Sequence, residues 1–313
     1  MYRTVCIAKA RRRVTRVKLD LTAKNKEAFA QAAEEAVRVD LLRGINRFKQ
    51  RLPKAKLDEA FNARQYEKVR RDIPWGDLPE DLGKATARVA ELVDETHART
   101  VEAITEQPKD SYLKDAGNPK LVQHTEKRME DFLQDLSDEH NAQVHRIVTE
   151  SSRLGHSPAQ VAERLKQIVG LRRTQNVALA NFQIGLRKKG FSEAQIVRMA
   201  TKKAQDMLAS RVRTIAITET RTAVNTAEQE AWRAQQADGI IDEGAEKVWV
   251  IGAEDACPDI CYPMDGVAVL LNDSWRLPDG RMVDTVVSSH PQCRCSALLR
   301  TPDDPDYGSN RQS

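Results

Sequence analysis

The feature that most constrains this chain is a cluster of cysteine and histidine residues in its last quarter. Four of the five cysteines lie between Cys257 and Cys295, and the cluster consists of a pair followed 29 residues later by a tighter group: Cys257, Cys261, His290, Cys293 and Cys295. A tetrahedral zinc site needs four thiolate or imidazole ligands, and two short ligand groups separated by a hairpin commonly supply them. The sequence therefore predicts a zinc ion bound in this region.

The cluster offers five candidate ligands for four positions. The preferred set is Cys257, Cys261, His290 and Cys295, and Cys293 is the uncertain member. Because alternate residues of a strand share a face, Cys293 and Cys295 could also both point inward. A stretch this short has few large apolar side chains, so we expect the metal to be structural. Two alternatives stay open, namely disulfide bonds and unliganded thiols.

Motif order argues against several classes of enzyme. The zinc deaminase signature places His-x-Glu before a cysteine pair, whereas here the pair comes first and no such glutamate follows His290. The sequence contains neither His-Glu-x-x-His nor a glycine-rich phosphate loop. Glu254 or Asp255 could still act as a general base beside the first cysteines. We therefore expect a protein that is not an enzyme, with a metal-dependent enzyme as one alternative.

Upstream of the cluster, the pattern of apolar residues predicts a series of helices. Gly170 and Gly190 stand where left-handed helix C-caps are expected, and Ser192 with Gln195 forms a capping box at the start of a later helix. The predicted helices cover approximately residues 22–51, 56–72, 77–105, 119–150, 158–169, 171–189, 192–210 and 211–237. The longest apolar runs fall far short of the roughly 18 residues that a membrane span requires.

The character of the sequence changes near residues 238–246. Strands are predicted at about 247–251, 267–271 and 293–299, separated by Asp-Gly turns. The expected fold class is α+β, with an elongated, mainly helical N-terminal region followed by a small module rich in β-hairpins. The expected divisions are a basic arm (1–20), a helical stalk or docking region (21–150), a second helical part (151–240), the β-rich Cys/His module (241–300) and a disordered tail (301–313).

The last predicted helix carries a row of polar residues that ends in an indole. The members of this row follow helical spacing, with Glu219 beside them: Thr218, Arg221, Asn225, Glu228 and Trp232. If the β-hairpins covered the row, its polar groups would fasten the two domains through hydrogen bonds that burial makes obligatory. The alternative is a solvent-exposed face with an incidental tryptophan.

Charge is distributed unevenly along the chain. Residues 1–60 contain 16 lysines and arginines against seven acidic residues, although the net charge of the whole chain is only +4. A basic leading segment suits contact with nucleic acid or an acidic protein surface, and the alternative is a solvated basic helix face. The residues expected to make this contact are Lys9, Arg11, Arg12, Arg13, Arg16 and Lys18. No secretory signal is recognisable at the start, so we expect a cytoplasmic location.

Taken together, these motifs resemble a known family. The helix motif Thr218-Glu219-x-Arg221 with Asn225 and Trp232, the cysteine pair, Asp265-Gly266, and His290-Pro-x-Cys-Arg-Cys295 are similar to those of the phage Mu protein F-like family. The resemblance covers about residues 150–300 and is strongest in the last ninety or so.

The resemblance implies a minor head protein of a tailed bacteriophage. Such a protein acts in head morphogenesis and capsid assembly at the portal vertex, and in DNA packaging or ejection. The implied partners are the portal protein, a scaffold or major capsid protein, and phage DNA. The implied location is the host cytoplasm during assembly and then the virion, in the capsid interior or at the portal vertex. A DNA-binding protein unrelated to capsids, or a toxin-like module, is the alternative.

Overall fold

The computed structural model describes residues 23–52, 73, 77–105, 127, 144, 146–147, 158–252 and 257–312. The predicted basic arm, with Lys9, Arg11, Arg12, Arg13, Arg16 and Lys18, lies outside these residues, as do the predicted helix 56–72, most of the predicted helix 119–150, Glu254 and Asp255. Among the described helices, none is both long enough and apolar enough to cross a membrane.

The described helical part consists of five helices, four of which match the predicted bounds to within two residues. Their bounds are α1 (Ala23–Arg51), α2 (Leu78–Thr105), α3 (Pro158–Ile168), α4 (Arg173–Lys188) and α5 (Glu193–Ala237). Gly170 and Gly190 both have φ values above +80°, as predicted for left-handed C-caps. The Ser192 and Gln195 capping box is also present, with the Ser192 amide donating to Gln195 Oε1 at 3.0 Å. These local signals were sufficient to set the helix ends.

Helix α5 corrects one prediction. The sequence was divided at residue 210 into two helices, but the structure has one helix of 45 residues. No glycine or proline lies between Glu193 and Ala237, so nothing in the backbone interrupts the intrahelical hydrogen bonds. The helix therefore continues through the predicted boundary.

The C-terminal part contains two small antiparallel sheets, and the expected α+β class is confirmed. The first sheet has the strand order β2-β1-β5 and the second pairs β3 with β4, where the strands are β1 (Glu246–Val250), β2 (Ala268–Leu270), β3 (Trp275–Arg276), β4 (Met282–Val283) and β5 (Ser296–Arg300). Trp249 of β1 faces Ala297 of β5 in the register. A strand was predicted at about 293–299, but β5 starts at Ser296, so Cys293 and Cys295 precede it and strand alternation does not determine where their side chains point.

Residues 301–312 are ordered, and the prediction of a disordered tail is wrong for them. Asn310 accepts a backbone hydrogen bond from Ala268 at 3.0 Å, and Gln312 donates one to the Ala268 carbonyl at 2.8 Å. Arg311 also forms an ion pair with Glu246, a fully buried residue of β1. Composition alone indicated a solvated segment, but these long-range contacts hold the tail on the sheet.

The chain forms two compact units that differ from the linear divisions expected from the sequence. One unit comprises residues 1–37, 87–125 and 214–313, and the other comprises residues 38–86 and 126–213. The first unit contains both sheets and a hydrophobic core. In this core the rings of Trp249 and Trp275 pack edge to face, with their centroids 5.5 Å apart. The second contains α3, α4 and parts of α1, α2 and α5.

Candidate metal centre

The first cysteine pair is folded into a tight turn. A short helix, α6 (Cys261–Met264), begins at the second cysteine, and the backbone carbonyl of Cys257 accepts hydrogen bonds from the amides of Cys261 at 2.8 Å and Tyr262 at 3.3 Å. Cys261 is buried and Cys257 is partly buried against the core of the first unit. The turn therefore carries Cys261 into the interior of the module.

The second group lies in the loop before β5. The amide of Cys293 donates to the carbonyl of His290 at 3.3 Å, which closes a turn. Gln292, inside this turn, has φ = 62°, a left-handed conformation that is uncommon for residues other than glycine. Its amide donates to Thr218 Oγ1 at 3.2 Å and its side chain donates to Thr214 Oγ1 at 2.9 Å. Two threonines of α5 thus hold the strained loop in place.

These two turns bring together three atoms that can ligate a metal ion. The thiols of Cys261 and Cys293 and a ring nitrogen of His290 all lie within 4.8 Å of one another, and Cys261 Sγ is 2.9 Å from His290 Nε2. The other ring nitrogen, Nδ1, is 2.9 Å from the carbonyl oxygen of Pro291. A carbonyl can only accept, so this contact requires a proton on Nδ1 and makes Nε2 the unprotonated nitrogen, which can accept from the Cys261 thiol or bind a cation. The group can hold a metal ion.

The thiols perturb one another because they are buried side by side. A hydrogen bond with Cys295 is the main cause that lowers the pKa of Cys293 to about 6. Conversely, the hydrogen bond to Cys293 and burial raise the pKa of Cys295 far above its ordinary value. Burial and the neighbouring Cys293 charge raise the pKa of Cys261. A bound cation favours deprotonated thiols and would neutralise the negative charge that accumulates here.

A buried polar atom beside the thiols also fits a metal–thiolate site. Within the described residues, the buried indole nitrogen of Trp249 has no partner at hydrogen-bond distance. Its proximity to Cys295 nevertheless opposes the rise in the pKa of that thiol, which means that it favours the thiolate form. A deprotonated, metal-bound Cys295 would give this N–H a charged hydrogen-bond acceptor. That hydrogen bond would offset the free-energy cost of burying the donor.

The structure changes the order of preference among the predicted ligands. Cys293, which was the uncertain member, belongs to the group of three with Cys261 and His290. Cys295 joins this group through its contact with Cys293, and Cys257 stands at the edge of the turn. All four of these cysteines are free thiols, so the structure contains none of the disulfides considered as an alternative.

The predicted polar row of α5 is mostly buried and contacts helix α1 as well as the loop of residues 290–295, here called the metal loop because it carries His290 and Cys293. Arg221 is only 3% exposed. It donates to both oxygens of Glu27 at 2.7 Å and to Glu34 at 2.6 Å. Burial raises the pKa of Glu27, but the hydrogen bonds and charge of Arg221 outweigh it, so that its pKa lies below the usual value. Arg221 therefore joins α5 to α1, whereas the sequence had suggested a contact with the hairpins.

The other members of the row have separate roles. Thr218 binds the metal loop, Trp232 packs in the core with Trp249, and the Asn225 side chain donates to the Arg221 carbonyl at 2.9 Å. Glu228 is buried and Glu219 is partly buried. The solvent-exposed alternative is thus wrong for this helix face.

No motif in the sequence indicates the acidic partners of Arg221. Glu27 and Glu34 are seven residues apart on α1, which places them on one face two turns from each other. Glu34 also contacts Arg294, between Cys293 and Cys295, at 3.5 Å. The spacing of two acids on a helix face was the available signal, but such spacing is common and names no partner.

Comparisons with known protein families, with curated proteins and with solved structures gave no match. The resemblance to the phage Mu protein F-like family therefore rests on the sequence motifs and stays a prediction.

Proposed function

We propose that this chain is a non-enzymatic minor head protein of a tailed bacteriophage, which acts in head morphogenesis at the portal vertex and in DNA packaging or ejection. The observation that carries the proposal is the convergence of Cys261, His290 and Cys293 in a small module. These residues belong to the motifs that resemble the phage Mu protein F-like family. The partners that this function implies are the portal protein, a scaffold or major capsid protein, and phage DNA.

Within this proposal, the metal is zinc. Two thiolates and an imidazole suit Zn²⁺, and the same donors are poor ligands for magnesium or calcium. Cys295 is the fourth ligand that the contacts favour, because it touches Cys293 and because Trp249 favours its thiolate form. Four protein ligands would close the coordination sphere, which is the arrangement of structural zinc sites. The metal would then stabilise the module and leave no position for a substrate.

Metal analysis tests the zinc assignment directly. Protein purified under reducing conditions should contain one zinc per chain, and Cys261→Ser or Cys293→Ser should reduce this content and lower the melting temperature. Cys295→Ser should do the same, and Cys257→Ser serves as the matched variant for the remaining thiol. Zinc-free wild-type protein would refute the assignment. Loss of zinc in Cys257→Ser with retention in Cys295→Ser would reverse the choice of fourth ligand.

The head-assembly function needs a test in the virus. A phage with a stop codon in this gene should still produce portal and capsid proteins, yet yield heads that are defective in DNA content or infectivity. Expression of the wild-type chain in the host should restore both properties. Purified virions should contain the chain in few copies. Normal yield and infectivity without the protein would refute the proposal.

The proposed role of the basic arm has its own test. Deleting residues 1–18 should weaken binding to DNA or to the portal, and the loss should be smaller at high salt because the contact is electrostatic. The far-ultraviolet circular dichroism spectrum of the shortened chain serves as the control for folding. Unchanged association at low salt would dismiss the arm as a contact surface.

A further inference from the structure

A cavity in the second compact unit has the size and lining of a small-molecule site. Its volume is about 340 Å³, and helices α1, α3 and α5 form its walls. Clefts of about 300–1,000 Å³ are typical of small-molecule binding sites. The lining residues on which the argument depends are Leu42, Lys49, Glu163, Lys166, Gln167 and Leu208.

Most of the polar groups in this cavity already have partners. Gln167 donates to Thr201 at 2.9 Å and accepts from Gln183 at 3.3 Å. Lys166 is paired with Glu163 at 2.9 Å. Leu208, which is 5% exposed, and Leu42 add apolar surface. A ligand would therefore contact apolar side chains and polar side chains that already pair with other residues of the protein.

Lys49 is the exception among the charged groups of the cavity. In the described parts of the chain, its ammonium group has no hydrogen bond and no ion pair. The side chain is partly buried, and burial lowers the pKa of Lys49 to about 8. An ammonium withdrawn from water without a counter-charge is destabilising, and an anion beside it would offset that cost. With Lys166 and Glu163 neutralising each other, Lys49 is an uncompensated positive charge among the described residues that line the cavity.

We propose that this cavity binds a small carboxylate with an apolar body, whose carboxylate pairs with Lys49 and whose apolar part lies against Leu42 and Leu208. The single free ammonium matches a single anionic group, and the apolar wall favours an organic acid over inorganic phosphate. The proposal is independent of the phage assignment and of the metal site, since all the lining residues belong to the second unit.

The test uses the full-length chain and 4-fluorobenzoate as the probe. Fluorine NMR should show saturable line broadening of the probe on addition of wild-type protein. Lys49→Met, which retains most of the side-chain volume, should weaken binding by about tenfold or more, corresponding to the loss of a charge-assisted contact. Lys49→Arg should retain most of the affinity. Lys202→Met serves as the control, because Lys202 is exposed on α5 and does not line the cavity.

Further measurements separate the remaining outcomes. Chemical acetylation of Lys49 in the wild-type protein, followed by mass spectrometry, should be slower when 4-fluorobenzoate is present. This measurement tests the site even if a variant fails to fold. Neutral 4-fluorotoluene should bind at least tenfold more weakly than 4-fluorobenzoate. The proposal is overturned if the wild-type protein does not bind the carboxylate, if Lys49→Met and Lys202→Met bind it equally, or if inorganic phosphate protects Lys49 while the carboxylate does not.

Discussion

Replacing Arg221 by methionine removes a side chain that bridges Glu27 and Glu34. Three charge-assisted hydrogen bonds of 2.6–2.7 Å are lost, and two carboxylates remain near each other. The Glu27 side chain is 21% exposed and can rehydrate. The Glu34 side chain is only 9% exposed, so in the variant it must either become protonated or be hydrated by water that enters the core. Breaking a buried ion pair from one side typically costs about 3–5 kcal/mol. We expect Arg221→Met to lower the free energy of unfolding by about 3–4 kcal/mol, near the lower end of that range, because Arg294 still contacts Glu34.

Urea unfolding at constant zinc concentration measures this loss through tryptophan fluorescence. Three of the four tryptophans, Trp232, Trp249 and Trp275, are buried in the first unit and report on it. Arg213→Met is the matched control, since Arg213 is exposed on the same helix and should change stability by less than about 0.5 kcal/mol.

The same experiment includes a variant that tests the cause of the loss. In the triple variant Arg221→Met, Glu27→Gln, Glu34→Gln, the unpaired charges are gone, so we expect at least half of the lost stability to return. The reasoning is refuted if Arg221→Met lies within about 1 kcal/mol of wild type, or if the triple variant is no more stable than the single one.

Three further substitutions test other contacts. Glu246→Gln should speed proteolysis of the tail. Burial raises the pKa of Glu246, but the hydrogen bonds from its arginine partners outweigh burial and bring the pKa below its usual value. The loss of stability relative to wild type should therefore be greatest above about pH 5 and should vanish as the pH falls through the folded-state pKa. Burial lowers the pKa of Lys49 to about 8 in the folded protein, and the pKa returns to its ordinary value on unfolding. Lys49→Met should therefore stabilise the ligand-free protein by up to about 3 kcal/mol below pH 8, and by progressively less as the pH rises to about 10.5. Thermal unfolding at a series of pH values measures this gain, and a gain that does not change with pH contradicts it. Gly252→Ala should lower zinc content, because a Cβ there would lie 2.1 Å from the carbonyl oxygen of Arg294 and displace the metal loop, whereas Gly185→Ala, with open space around it, should leave zinc bound.

Local signals predicted most of the helical structure. Proline, glycine and capping residues determine helix ends through neighbouring backbone groups, which is why α1, α2 and the cap at Ser192 were predictable. The ordered tail was not predictable in this way. It depends on Glu246, whose partners Arg300 and Arg311 lie more than fifty residues away in the sequence.

The candidate metal site was predictable as a set of residues but not as a geometry. Cysteine and histidine spacing identified the candidate ligands, because these residue types are few and their chemistry is distinctive. The membership of Cys293 depended on the turn at Gln292 and on the threonines of α5 that hold it. Those contacts join residues more than seventy positions apart, and no local pattern encodes them.

The tail also determines where this module can accept another polypeptide. A free strand edge invites pairing with a second chain, and proteins commonly shield such edges. Here the Ala268 amide and carbonyl on the outer side of β2 are already engaged by Asn310 and Gln312. A second chain that extends the sheet at that position must first displace residues 310–312, so this segment of the same chain competes with it for strand addition.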